Sequence, residues 1–92
     1  MAKLKDFKLI CLRKKIDKVD KKILRLIEKR FYLVSKVADR KKQKGFPVRD
    51  REREKEVIES KKQMTKLPSA FVGKLYRMLI EQAAKLENNK LR

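Results

Sequence analysis

The chain has no histidine, no tryptophan, one cysteine, two glycines and two prolines in 92 residues, and its 12 carboxylates are outnumbered by 29 lysines and arginines. Each shortage removes a class of chemistry. Without histidine there is no imidazole base near neutral pH, no His-based nucleophile triad and no usual zinc site. Cys11 alone can form neither an internal disulfide nor a CxxC motif, so no metal is expected and a reducing compartment is. Gly45 and Gly73 cannot build a Gly-rich phosphate loop. The apolar run from Leu9 to Leu12 is too short for a signal-peptide core or a membrane span. A cytoplasmic chain without a membrane partner is the expectation, and any enzyme built from these residues works with Arg, Lys, Asp and Glu, by positioning and electrostatics.

What is present reads as all-α. Helical periodicity runs from about Asp6 to Lys44, stopped by Gly45 and by Pro47, whose ring disfavours helix at Phe46. Asp50 is a candidate N-cap for a short, highly charged helix that carries Val57 and Ile58 and fades near Lys62. A third helix starts at Pro68 or Ser69 and carries Phe71, Val72, Leu75, Tyr76, Leu79, Ala83 and Leu86, with fraying expected from Asn88 onward. The reading is a single domain over residues 1–92, with its core in 9–88 and frayed ends. A first helix of roughly 50 Å is far longer than a ~90-residue globule is wide. A second copy of the chain is the natural cover for its apolar seam, giving a three-helix subunit in an intertwined homodimer.

The seam itself is unusual. Leu9, Leu12, Ile16, Val19, Ile23, Leu26, Leu33 and Val37 recur in steps of three and four, broken at Arg30. The adjoining stripe, Arg13, Ile16, Asp20, Ile23, Ile27, Arg30, Val34, Val37 and Lys41, aims three cations and one carboxylate at a surface that packing should bury. Buried guanidinium groups need anionic partners, and Asp20 can serve one at most. The bland alternative has Arg13 and Arg30 snorkelling or pairing with Glu28, Glu54 or Glu81. Arg30 and Lys41 share a helix face with alpha carbons roughly 16 Å apart, whereas Arg13 lies about 25 Å from Arg30 along the axis. One helix cannot bring all three to a small ligand, but an antiparallel partner can, and three cations suit a dicarboxylate.

Read in order, Leu12-Arg13-Lys14-Lys15-Ile16-Asp17, Asp20, Arg30, Lys41, Pro47-Val48-Arg49-Asp50 and Arg53-Glu54 resemble the all-helical chorismate mutase family, the AroQ class, over roughly residues 9–88. The resemblance implies an intertwined dimer that converts chorismate to prephenate, on the route to phenylalanine and tyrosine, without metal or cofactor. It further implies that Arg30 and, from the other subunit, Arg13 hold the two substrate carboxylates. Lys41 would reach a carboxylate and the ether oxygen, Arg53 would support the carboxylate side, and Asp50, through its backbone region, and Glu54 would receive the ring hydroxyl. Ala83 falls where a carboxylate-contacting serine is common. Glu87 falls where a glutamine commonly donates to the ether oxygen, with Asn88 an alternative after a one-residue slip. A glutamate can donate only when protonated, so an acid-shifted pH optimum follows.

Two other functions remain open at this point. Isochorismate pyruvate lyase has the same fold and an isomeric dicarboxylate substrate. A basic helical dimer binding nucleic acid would account for the net charge of +17 but not for cations inside an apolar seam. Dispersed lysines such as Lys14, Lys18, Lys21 and Lys22, mixed with Asp17 and Asp20, read as a solvated face, and no specific nucleic-acid partner is expected. The length suggests a free-standing, monofunctional enzyme.

Overall fold

The computed structural model describes residues 6–90, the side chains of residues 88–90 excepted. It contains three helices, α1 (Phe7–Lys44), α2 (Arg51–Gln63) and α3 (Ser69–Lys90), and no strand among the described residues. Their ends follow from local chemistry. The Asp6 carboxylate accepts from the Leu9 amide at 3.2 Å and caps α1. At its other end Gly45 takes a positive φ of 70°. The Gly45 amide donates to the Lys42 carbonyl and the Phe46 amide to that of Lys41, which satisfies carbonyls left over by the last turn. A side chain at position 45 would be strained by the backbone alone.

Asp50 caps α2, its carboxylate accepting from the Arg53 amide at 3.0 Å. Glu52 and Glu54 lie in the first turn of α2 and Lys61 and Lys62 in its last, in line with the helix dipole. Loss of the cap should be measurable: Asp50→Ala is expected to lower unfolding stability by ~1 kcal/mol in a denaturant titration. A change within error would mean that Asp50 does not hold this helix end. The third helix continues through Asn88 and Asn89 to Lys90, beyond the point where fraying was expected. No glycine or proline stands there to stop it. The side chain of Asn88, the alternative amide donor, lies outside the described residues.

The chain divides into two compact units, residues 1–32 and 33–92. In the first, α1 buries no side chain over residues 6–32. Its seam is open in the single chain, with Leu12, Ile16, Val19, Ile23 and Leu26 all about half exposed or more. The second unit has a small core of Ala38, Val72, Ala83 and Ala84, and α2 packs against α3. Gly73 is buried where α3 meets α2; a Cβ there would stand 3.3 Å from the Lys62 stem. Along α3, Val72, Tyr76, Leu79, Ala83 and Glu87 follow one another at helical spacing. The last inward position of that apolar stripe is therefore occupied by a carboxylate.

Candidate active site

The site is built in the second unit, where the last turns of α1, the turn after it and the end of α3 converge. Ala38, Lys41, Lys42, Gly45, Phe46, Val48 and Glu87 line a cavity of about 240 Å³. Lys41 is half-buried, and its ammonium donates to the Val48 carbonyl at 2.8 Å. That bond ties the cation to the turn and leaves two of its three N–H donors for other partners. Lys41 also borders an adjoining hollow with Phe46, Pro47, Arg49, Asp50, Arg51 and Glu52.

Glu87 lines the same cavity as Lys41. It is the one buried charged residue among those described, 8% exposed, and its Oε2 has no hydrogen-bond partner. Burial raises its pKa; Lys41 and Arg49 pull in the opposite direction, and Glu54 adds to the rise. The carboxyl is thereby biased toward its protonated form, which can donate. A cation that donates and a carboxyl poised to donate face one cavity.

Beside them stands a cluster centred on Arg49. Its guanidinium is bidentate on Glu54, with Nε 3.0 Å from Oε2 and Nη2 2.7 Å from Oε1. It also reaches both oxygens of Glu81 on α3 at 3.2 Å. The hydrogen bonds to Glu54 and then Glu81 raise the Arg49 pKa, and the exposed Glu81 carboxyl is held below its usual range by Arg49. Sequence reasoning passed over Arg49. The only early signal was its place in the Pro47-Val48-Arg49-Asp50 turn.

Residues 12–88 match the Chorismate mutase type II family. The chain belongs to that family. The protein named Chorismate mutase of Methanocaldococcus jannaschii is 39% identical over 87 residues, covering 91% of this chain and 88% of the relative. The Bifunctional chorismate mutase/prephenate dehydratase of Aquifex aeolicus is 32% identical over 82 residues, 83% of this chain and 23% of that protein. The matched region thus spans most of the archaeal chorismate mutase and under a quarter of the bifunctional one. Among solved structures, a chorismate mutase from Thermus thermophilus superposes with a TM-score of 0.82 at 28% identity, over 88% of this chain and 94% of the other. The all-α three-helix class expected from the sequence is that of the chorismate mutase fold.

The residues that the family resemblance singled out do not all gather in one place. Lys41 and Glu87 share a cavity; Glu54, held by Arg49, does not line it and borders a separate hollow with Glu81 of α3. Asp50 is exposed and serves as a helix cap, its carboxylate turned to backbone. Arg53 is exposed and paired with Glu56 at 3.6 Å, and it lines neither of the hollows bordered by Lys41. Ala83 is buried in the core and does not line the cavity. Arg13, exposed, and Arg30, half-buried, belong to the first unit, on the part of α1 with the open seam. Glu54 and Glu81, which the bland reading offered as partners for these arginines, are both engaged by Arg49.

Proposed function

We propose that this chain catalyses the intramolecular rearrangement of chorismate to prephenate, as a homodimer, with Lys41 and Glu87 acting on the ether oxygen. The observation that carries the reading is the shared cavity of Lys41 and the buried, unpartnered Glu87 carboxyl within a chorismate mutase fold. The reaction is pericyclic and needs neither nucleophile nor proton abstraction, so a site without histidine suffices. The enzyme has to fold a flexible dianion into a compact chair and favour the negative charge that grows on the ether oxygen as its bond to carbon breaks. Arg13 and Arg30 serve the first task by holding carboxylates. Lys41 and protonated Glu87 serve the second by donating to the oxygen as it gains charge, while Glu54 receives the ring hydroxyl, Asp50 borders the hydroxyl side, and Arg53 supports the carboxylate side once released from Glu56.

The direct test is the spectrophotometric loss of chorismate with purified protein, followed by identification of prephenate. A parallel assay on isochorismate, looking for salicylate and pyruvate, distinguishes the lyase. No turnover of either would overturn the reading.

Exposure of the α1 seam and of Arg13 in the single chain supports a second copy that supplies Arg13 across the interface. Mixing settles it. Arg13→Ala and Arg30→Ala chains should each be almost inactive alone. Unfolded and refolded together in equal amounts, they should recover roughly a quarter of parental activity, because half of the dimers are mixed and each mixed dimer keeps one intact site. No recovery, with mixed dimers verified by mass, would place both arginines in one subunit's site.

A further inference from the structure

We propose that Arg49 is a positioning residue of the reaction: from the turn between α1 and α2 it holds the Glu54 carboxylate in place for the substrate's ring hydroxyl while tying α2 to α3. The proposal rests on the mutase reading for the role of Glu54, and on geometry for the rest. Five N–H donors in a planar fork allow one arginine to satisfy two carboxylates, and Arg49 uses Nε and Nη2 on Glu54 and both Nη atoms on Glu81. The Arg49 and Glu54 side chains are each more than three-quarters shielded, whereas Glu81 is more than half exposed. The tight, shielded contact is therefore the one to Glu54, and Glu81 serves as the outer anchor. Lysine, a point charge without the fork, cannot reproduce this arrangement.

Arg49 and Glu54 do not line the cavity of Lys41 and Glu87, but their charges reach the Glu87 carboxyl. Three charged groups act on Glu87: Lys41 from α1, Arg49 from the turn and Glu54 from α2. With Arg49 in place, the negative charge of Glu54 is compensated before it acts on Glu87. Replacing Arg49 by an uncharged residue removes one cation and at the same time uncovers one anion, and both changes keep the proton on Glu87 to higher pH.

The experiment uses the full chain with Arg49→Gln, Arg49→Lys and Glu81→Gln. Three readouts apply: kcat and KM for chorismate across pH, the Glu87 carboxyl titration followed by carbon-13 NMR without substrate, and the unfolding midpoint. Arg49→Gln is expected to raise KM about tenfold or more with a smaller change in kcat, as expected when binding to a remote substrate group is lost, and to move the Glu87 titration to higher pH. Arg49→Lys should raise KM similarly yet leave the titration near the parent's, since charge is kept and the fork lost. Glu81→Gln, which spares the Arg49 contact to Glu54, should leave KM within about twofold. Should Arg49→Gln fail to fold, the lysine and Glu81 variants still separate fork from anchor. The proposal is overturned if Arg49→Lys leaves KM unchanged, or if folded Arg49→Gln leaves both KM and the Glu87 titration where they were. A parent that turns over no chorismate removes the role for Glu54, while the NMR titration still reports whether Arg49 acts on the cavity.

Discussion

Replacing Lys41 by alanine is expected to lower kcat about 10²- to 10³-fold on chorismate, the range seen when one donor to a developing oxyanion is removed. Lys41 stands in the last turn of α1 with its ammonium moored to the Val48 carbonyl at 2.8 Å. Mooring matters because an exposed lysine loses rotamer freedom when it closes on a ligand, and that cost of up to ~2 kcal/mol is largely met here in the free protein. The two remaining N–H groups can then follow the ether oxygen as it gains charge, so the loss falls on kcat more than on KM. Lys41→Arg should recover little, since a planar guanidinium offers different geometry in a cavity of about 240 Å³. The variant also loses a helix-end charge worth ~0.3–1 kcal/mol and a charged hydrogen bond to Val48 worth ~1.5–3 kcal/mol, so the kinetics are read on protein verified as folded. Steady-state kinetics on folded Lys41→Ala decide the matter. A kcat within twofold of the parent would remove Lys41 from the chemistry.

The parts of the fold that could be read from the chain are those governed by neighbours in sequence. Gly45 and Pro47 mark the end of α1, and Asp50 caps α2, because a positive φ, a missing N–H and a carboxylate three residues ahead of an amide are local facts. Glu87 was legible only through the family resemblance, which put it where a glutamine commonly donates; its burial at the end of the stripe of Val72, Leu79 and Ala83 is seen in the structure. Arg49 was not legible. It is one of 29 cations, and nothing in the sequence singles out its bidentate grip on Glu54 or its reach to Glu81, which lies thirty-two residues away and becomes a partner only when α3 approaches the turn. Arg53 shows the converse limit. Its place in a motif suggested a substrate contact, yet on a helix surface the nearby Glu56 is an available partner one turn away, and the free chain pairs the two. Sequence order places a residue in a motif, while its ion-pair partner is set by which groups lie within reach in the folded chain.

Glu87→Gln is expected to convert a pH-dependent enzyme into a pH-independent one between pH 5 and 8. In the parent, burial raises the pKa of a carboxyl whose Oε2 has no hydrogen-bond partner, with Lys41 and Arg49 opposing and Glu54 assisting. Only the protonated carboxyl can donate to the ether oxygen. Catalytic efficiency should therefore be full below the folded-state pKa, fall as pH rises through it, and drop tenfold per pH unit well above it. Glutamine donates at every pH, so the variant's profile should be flat, close to the parent on the acid side and above it on the alkaline side. Stability moves with the same sign. A pKa raised by folding means that the native state binds the proton more tightly, so its stabilising contribution is complete below the unfolded value of about 4.3 and is lost as pH rises through the folded value. The glutamine has no such dependence. Its unfolding free energy should gain on the parent's from acid to neutral pH, because the parent alone must bury a charge there. Kinetics and denaturation thus report one titration by two routes. A parental profile already flat from pH 5 to 8, together with an unfolding free energy that tracks the glutamine variant across that range, would show that the carboxyl is not the donor.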